Sequence, residues 1–182
     1  HNSEITSVLL MRHLYSKLDI KENGMPEMLI LDNEINLTGE SKIIQFHPSY
    51  TYEDFVRGII IENKDGILEY FSKNKILAAF AKKASLNPDS NYVLIIDEIN
   101  RANLSSVLGE LIYALEYRGE AVESMYAVDE DYKLILPPNL YIIGTMNSAD
   151  RSVGHIDYAI RRRFAFVDIL PENLKEKQGL EN

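Results

Sequence analysis

The stretch Tyr92-Val93-Leu94-Ile95-Ile96-Asp97-Glu98 decides the fold. Its five leading apolar residues fit a strand that is buried on both faces, as in the centre of a parallel sheet. Parallel strands need crossover connections, which are usually helical. The rest of the chain shows this alternation of strand and helix patterns, so we predict an α/β domain. The expected form is a three-layer parallel sheet with helices on both faces.

Hydrophobic periodicity and turn residues predict the other elements. We predict strands at 28–31, 35–37, 43–46, 140–144 and 164–169, with a hairpin over 122–136 whose tip lies at 129–131. We predict helices at 3–18, 67–83, 104–115 and 156–163, and a short one opened by the capping-box pattern of Thr51 and Asp54.

The composition indicates one ordinary soluble domain. The chain has 182 residues, of which 46% are hydrophobic, enough for a normal core. Since there is no cysteine, disulfides, thiolate zinc sites and cysteine nucleophiles are excluded. Its apolar runs are too short to span a membrane, and no signal-peptide pattern opens the chain. We expect a cytoplasmic protein with a core domain at 1–170 and a polar tail at 171–182.

The charge balance bears on nucleic-acid binding. There are 28 acidic residues against 19 basic ones, giving a net charge of −9. Such a surface repels phosphate backbones, so this segment is a poor candidate for the main nucleic-acid-binding surface. The densest basic cluster is Arg161-Arg162-Arg163.

Two adjacent carboxylates follow the apolar run. The carboxyl edge of a parallel sheet is where ligands bind in open α/β folds, and Asp97 and Glu98 lie there. Asp97 can hold a magnesium ion, usually through water, and Glu98 can orient or deprotonate an attacking water. The alternative is that both residues only begin a loop and cap the following helix.

A polar residue follows the predicted strand 140–144. Asn147 comes after Gly144-Thr145-Met146, and we expect it beside the carboxylates of the first strand. Its amide offers both donor and acceptor, so it can bind a γ-phosphate or the attacking water. The alternative is turn chemistry, since Asn-Ser-Ala-Asp is a common type of turn sequence.

Three consecutive arginines end the helix predicted at 156–163. Asp157 and Arg161 are spaced for an intrahelical ion pair. Successive helical residues point in different directions, so at least one arginine should project from the domain. A guanidinium that reaches a neighbour's phosphate acts as an arginine finger. The alternative is a solvated basic end that complements the helix dipole.

At these residues the sequence resembles the AAA+ subunit of McrBC-type 5-methylcytosine restriction systems. The similarity runs over 43–169, most of the chain. The similar segments are the signature heptad at 146–152, with Ser148 where threonine is usual, the extended Walker B motif at 97–103, the segment at 46–55, and the arginine-bearing helix end at 159–164.

The resemblance implies catalytic roles for matching residues. Asp97 corresponds to the magnesium-associated Walker B acid, Glu98 to the catalytic glutamate, and Asn147 to the first sensor. Arg162 is the expected finger acting on the adjacent subunit, with Arg161 or Arg163 as alternatives.

Other matching residues are implied to lie at the nucleotide or at the boundary between subunits. Asn100 and Arg101 belong to the extended Walker B motif, and Asp150 and Arg151 to the signature loop. The family further implies a homo-oligomeric ring, expected to be a hexamer, with GTP as substrate, ATP as the alternative, and Mg²⁺ as cofactor. An McrC-like nuclease is the implied partner, and DNA would be contacted mainly through a domain outside this segment.

One expected motif does not occur in the sequence. No G-x-x-x-x-G-K-[ST] loop, which cradles phosphates, is present. We therefore expect that residues 1–182 start after this loop and the first strand, that they bind nucleotide weakly or not at all alone, and that the tail leads towards a C-terminal lid. The alternatives are a MoxR-like ATPase that remodels proteins and a non-enzymatic remnant kept for subunit interaction.

Overall fold

The computed structural model describes residues 7–11, 39–147 and 156–168. The strands predicted at 28–31 and 35–37 and the tail at 171–182 lie outside these ranges. The described strands are β1 (Ser7–Met11), β2 (Gly39–Gln45), β3 (Arg57–Lys64), β4 (Ile67–Asn74), β5 (Asn91–Asp97), β6 (Ala121–Val128), β7 (Asp131–Ile135), β8 (Leu140–Met146) and β9 (Phe164–Asp168).

A five-stranded sheet forms the centre of the domain, in the order β2-β5-β8-β1-β9. Strands β2, β5 and β8 are parallel neighbours, with Gln45 opposite Asp97 and Ile96 opposite Gly144. The predicted α/β architecture and the parallel pairing of its chemistry-bearing strands are confirmed. The expectation of an all-parallel sheet needs one correction, because β1 is antiparallel to both β8 and β9.

The prediction of a helix over 3–18 is wrong for its described part. Ser7–Met11 is a strand that pairs with β8 on one side and β9 on the other. A short apolar run such as Val8-Leu9-Leu10-Met11 fits a helix face and a strand equally well. The residues form a strand because they lie between β8 and β9. Pairing with these two strands provides partners for the backbone N–H and C=O groups of all three.

The described helices are short. They are α1 (Tyr52–Phe55), α2 (Ile76–Leu86), α3 (Leu104–Leu108), α4 (Leu111–Glu116) and α5 (Tyr158–Arg161), with a 3₁₀ turn at Ile99–Arg101. The predicted capping box at α1 is present, since Asp54 Oδ2 accepts from the Thr51 backbone N–H at 3.1 Å. In the described part of the chain, no helix is long and apolar enough to cross a membrane.

The helix predicted at 67–83 is wrong in its first half. Residues 57–74 form a hairpin of β3 and β4, and α2 begins only at Ile76. Asp65 and Gly66 form its two-residue loop with positive φ angles of 52° and 85°. Asp-Gly is a residue pair that such a turn favours, and it connects β3, which is rich in β-branched residues, to β4. The prediction overlooked this local turn signal.

The helix predicted at 104–115 is broken into α3 and α4. The break is at Gly109, whose φ of 52° and ψ of −128° suit only glycine. A Cβ at position 109 would in addition lie 3.2 Å from two ring carbons of Tyr52, which is a tight contact. The apolar face nevertheless continues across the break, with Val107, Leu108 and Leu111 buried.

The core packs against one face of β5. Tyr92, Leu94 and Ile96 alternate along this strand as buried residues, whereas the residues between them are half-buried. The core also includes Phe46, Phe55, Leu77, Ala81, Val107, Leu111, Leu140 and Ile142. The predicted burial of β5 is thus confirmed for one face and partial for the other.

A buried arginine ties the two hairpins together. Arg57, at the start of β3, is 4% exposed. Its guanidinium donates five hydrogen bonds of 2.8 to 3.2 Å to the side-chain oxygen of Asn74 and the backbone carbonyls of Tyr126, Asp131, Tyr132 and Lys133. Four of these acceptors lie in the hairpin β6–β7 or its turn. This side chain therefore fixes one hairpin against the other.

Replacing this arginine should destabilise the domain strongly. We expect Arg57→Met to lower the free energy of unfolding by about 3 kcal/mol, because Asn74 and four backbone carbonyls lose the buried guanidinium that donates to them. Urea unfolding compared with wild type measures the change. Lys64→Met is the matched control, because it removes an exposed ion pair with Glu69 from the same hairpin and should shift stability by less than about 1 kcal/mol. Equal effects of both variants would contradict the prediction.

Candidate functional site at the sheet edge

Three side chains meet where β2, β5 and β8 end. Asp97 is the last residue of β5, and both of its carboxylate oxygens accept hydrogen bonds from the neighbouring strands. Gln45 Nε2 donates to Oδ2 at 3.1 Å, and Thr145 Oγ1 donates to Oδ1 at 2.5 Å. The predicted position of Asp97 at the carboxyl edge of a parallel sheet is therefore observed, and its carboxylate is fixed from both sides.

Glu98 adopts an uncommon backbone conformation. Its φ of 53° and ψ of 43° are left-handed, which a non-glycine residue adopts at a cost of about 1–2 kcal/mol. Its backbone N–H points towards Thr145, with an N to Oγ1 distance of 3.4 Å. The chain thereby turns sharply after β5 and enters the 3₁₀ turn Ile99–Arg101. Strained backbone of this kind is concentrated at functional sites.

The Glu98 side chain is held close to the domain. Its Oε2 lies 3.2 Å from Arg101 Nε, and the side chain is only 18% exposed, whereas that of Arg101 is 46% exposed. Below this turn, Ile99 packs on Gly144 of β8 so closely that a Cβ there would lie 2.7 Å from Ile99 Cδ1. The glycine therefore allows the turn that carries Glu98 to sit directly on the sheet.

Asn100 and Asn147 lie next to each other at the same edge. Asn100 is 8% exposed, and its Nδ2 lies 3.5 Å from the backbone carbonyl of Asn147. The Oδ1 atom of Asn100 is buried without a hydrogen-bond partner in the structure. Asn147 directly follows β8 and is half-buried. Asn147 thus lies at the turn that follows the two carboxylates, and the contact of its side chain with them stays a prediction.

The donor set at this edge suits magnesium better than a transition metal. Magnesium prefers one or two carboxylates, with water and phosphate oxygens completing its shell. Asp97 and Glu98 are adjacent carboxylates, and each Asp97 oxygen keeps acceptor capacity beyond its one hydrogen bond. Among the described residues, no group of three or more His, Cys, Asp and Glu side chains is placed to hold a metal by itself.

A cavity of about 440 Å³ opens beside this edge. It is lined by Asn100, Arg101, Ala102, Asn103, Leu104, Ser105, Ile156 and Asp157. It therefore joins the turn after β5 to the start of α5. Asp150 and Arg151 of the signature loop, which we predicted near the nucleotide, lie outside the described residues.

The three consecutive arginines have different surroundings. Arg163 is buried, and its guanidinium donates to the Ala159 carbonyl at 2.6 Å and lies 2.9 Å from the Glu116 carboxylate. Arg162 is half-exposed with a longer contact of 3.7 Å to Glu116, and Arg161 lies 5.3 Å from the centre of the Phe166 ring. The expectation that at least one arginine projects outwards agrees with this arrangement, and Arg163 is not among the projecting ones.

Asp157 caps α5. Its Oδ1 accepts from the Ile160 backbone N–H at 3.0 Å, and Oδ2 accepts from the Ser105 hydroxyl. The spacing had predicted an ion pair with Arg161, but the carboxylate serves as the N-cap and ties α5 to α3 instead. The hydrogen bond from Ser105, followed by those from the helix N–H groups, lowers the pKa of Asp157 below its usual 3.8.

The cap should stabilise the domain in a pH-dependent way. A depressed pKa means that the carboxylate contributes stability above about pH 4 and loses it as the pH falls through the lowered folded-state pKa. We expect Asp157→Ala to cost about 1 kcal/mol at pH 7, and the difference from wild type to shrink below pH 4. Urea unfolding at pH 7 and in acid measures it. Asp157→Asn retains a cap without the charge, so a full loss in this variant would contradict the explanation.

Two contributors to the site were not singled out from the sequence. Gln45 lies 52 residues before Asp97 along the chain, and Thr145 lies 48 residues after it. Thr145 lies in the segment 140–147, but its residue type and position do not mark its hydroxyl as part of a site. Only the register of β2 and β8 against β5 shows that both residues reach the same carboxylate.

Comparisons with known proteins identify the family of this chain. The chain matches the AAA domain (dynein-related subfamily) over residues 31–164, which include the three strands β2, β5 and β8. It is 44% identical over 144 residues to the EcoKMcrB subunit of the type IV methyl-directed restriction enzyme of Escherichia coli (strain K12), an alignment of 74% of this chain and 30% of that subunit.

A second relative is also a restriction component. The chain is 33% identical to the YdiS component of the type II restriction enzyme BsuMI of Bacillus subtilis (strain 168), over 68% of this chain and 46% of that protein. A crystal structure of a candidate ATPase from Cytophaga hutchinsonii aligns with 69% of this chain and 32% of its own, at 20% identity and a TM-score of 0.43. The chain thus spans less than half the length of these curated relatives.

Proposed function

The chain belongs to the AAA domain family and is an McrB-like AAA+ protein, and from this premise we propose a specific motor function for the full-length gene product. It hydrolyses a nucleoside triphosphate, GTP with ATP as the alternative, and couples hydrolysis to DNA translocation and nuclease activation in a McrBC-like restriction system. Both curated relatives are restriction components, which favours this function over a MoxR-like remodelling ATPase.

The observation that carries the proposal is the contact of the two acidic residues after β5, and of the turn that follows them, with polar residues at the end of β8. Thr145 contacts Asp97 and the backbone of Glu98, and Asn100 contacts the carbonyl of Asn147. These residues come from segments almost 50 positions apart. A site that only capped a helix or closed a turn would not require this convergence at the ligand-binding edge of the sheet.

In the proposed reaction, Asp97 would hold Mg²⁺, and Glu98 would orient or deprotonate the water that attacks the terminal phosphate. When bound, Mg²⁺ would neutralise charge that develops on the phosphates. Asn147 contributes an amide that can bind the γ-phosphate or the attacking water. The partly buried Glu98 side chain is held in place by its contact with Arg101, which supports a positioned carboxylate in this proposal.

We further propose that neighbouring copies complete each pocket in a ring, expected to be a hexamer. Arg162 is the proposed finger, and Arg161 is the alternative because both are exposed at the end of α5. Arg163 is a poor candidate because its guanidinium is buried against Glu116 and Ala159. Asn100, Arg101, Asp150 and Arg151 are proposed to contact nucleotide or the adjacent subunit.

The proposed partner is an McrC-like nuclease. The net charge of −9 makes this chain unfavourable for gripping a phosphate backbone, so DNA contact is assigned mainly to another region of the full-length protein. This division of tasks agrees with the limited share of its relatives that the chain covers.

Hydrolysis assays on the full-length gene product test the proposal. We expect phosphate release that requires Mg²⁺, with GTP competing more strongly than ATP when both are present. Stronger competition by ATP would identify ATP as the preferred substrate and would leave the proposed motor function unaffected. Failure to release phosphate from either triphosphate, with and without an McrC-like partner and DNA, would overturn the proposed function.

A further inference from the structure

The hydroxyl group of Thr145 contacts both acidic residues after β5, Asp97 through its carboxylate and Glu98 through its backbone. It lies 2.5 Å from Asp97 Oδ1 and 3.4 Å from the backbone nitrogen of Glu98. We propose that Thr145, assisted by Gln45, is a positioning residue that fixes the Asp97 carboxylate for magnesium-dependent nucleotide binding. This inference rests on the proposed function of the site.

The two neighbouring strands hold the carboxylate from opposite sides. In the register of β2 with β5, Gln45 is the direct partner of Asp97, and its Nε2 donates to Oδ2 at 3.1 Å. On the other side Ile96 pairs with Gly144, so that the next residue, Thr145, reaches Oδ1. One hydrogen bond on each oxygen fixes both the position and the plane of the carboxylate.

Thr145 also links the two carboxylate residues. A hydroxyl group has one proton and two lone pairs, so it can donate to Asp97 and accept the N–H of Glu98 simultaneously. The accepted N–H belongs to the residue with left-handed backbone geometry. Loss of the hydroxyl would therefore free Asp97 Oδ1 and leave the Glu98 N–H without this acceptor.

The two supporting residues differ in rigidity. Threonine is β-branched and stiff at χ1, so a half-buried Thr145 within a strand presents its hydroxyl at a fixed point. Gln45 is exposed and longer, and it loses more side-chain freedom when it is held. We therefore assign the larger contribution to Thr145. The remaining acceptor sites on Asp97 stay available to water bound to magnesium.

The test uses Thr145→Val and Thr145→Ser in the full-length gene product. Valine keeps the branched shape without the hydroxyl, and serine keeps the hydroxyl. The readout is the Mg²⁺ concentration that half-saturates binding of a fluorescent, non-hydrolysable GTP analogue, or the ATP analogue if ATP is the substrate. We expect Thr145→Val to raise this concentration about 10-fold, as for other residues that orient a metal ligand, and Thr145→Ser to stay close to wild type.

Two further measurements separate positioning from general damage. Binding of the analogue in EDTA and the thermal unfolding midpoint should change little in Thr145→Val. Gln45→Ala, at an exposed position, should raise the half-saturating Mg²⁺ concentration by a smaller factor. If Thr145→Val does not fold, this variant tests the positioning of Asp97 instead.

The outcomes distinguish this inference from the proposed function. If the wild-type protein shows no magnesium-dependent hydrolysis, the proposed function itself is wrong. An active wild-type protein whose Mg²⁺ dependence is unchanged in both Thr145→Val and Gln45→Ala would overturn only the positioning role. A loss in Thr145→Ser as large as that in Thr145→Val would also overturn it, because the hydroxyl would then not be the active group.

Discussion

Glu98→Gln in the full-length protein should lower the turnover of nucleoside triphosphate by about 10²- to 10⁴-fold while leaving nucleotide binding nearly unchanged. Glutamine has the same shape as glutamate but cannot take a proton from water. Because Asp97 and its supporting residues stay in place, magnesium-dependent binding should persist. Phosphate release under single-turnover conditions, together with equilibrium binding of a labelled triphosphate, measures both quantities.

Two variants control for side effects of this substitution. Glu69→Gln makes the same chemical change and also breaks an ion pair, with Lys64 on the exposed hairpin, and it should leave turnover unchanged. Glu98→Gly removes the strain of a side chain at a left-handed backbone position. The stability of this variant should therefore equal or exceed that of wild type, although turnover is lost. If Glu98→Gln turns over at the wild-type rate, Glu98 does not activate the attacking water.

Sequence patterns predict the sheet edge well because the physical signal is local. An apolar run followed by polar residues marks the end of a buried strand, and this occurs at Asp97 and again near Asn147. Parallel pairing then places both ends at one edge. The α/β class and the neighbourhood of the carboxylates follow from this reasoning alone.

Long-range contacts explain what the sequence could not predict. The predicted helix 104–115 breaks at Gly109, where a Cβ would lie 3.2 Å from the ring of Tyr52, more than fifty residues earlier. Arginine is usually a surface residue, but Arg57 is buried because carbonyl groups of a distant hairpin accept its hydrogen bonds. Arg163 likewise cannot be distinguished from Arg162 by sequence, since both lie near Glu116 and only the fold buries Arg163 and leaves Arg162 half-exposed.

Arg162→Ala should lower turnover about 10³-fold if its guanidinium acts on the phosphate of a neighbouring copy. Stability should change little, because the side chain is half-exposed and its contact with Glu116 is a surface ion pair at 3.7 Å. Arg163→Ala is the contrasting variant. Its guanidinium is buried and doubly held, so the unfolding midpoint itself should fall. Hydrolysis rates and thermal unfolding of both variants distinguish the two roles.

Mixing experiments decide whether the arginine acts between copies. An Arg162→Ala subunit keeps Glu98, and a Glu98→Gln subunit keeps Arg162, so pockets formed between the two contain one intact set of groups. We therefore expect a mixture of two inactive variants to regain part of the wild-type turnover. Absence of any recovery in rings shown to contain both subunits would argue for action within one copy. If Arg161→Ala is inactive and Arg162→Ala is active, the finger is Arg161, whose guanidinium must then leave the Phe166 ring to reach the neighbour.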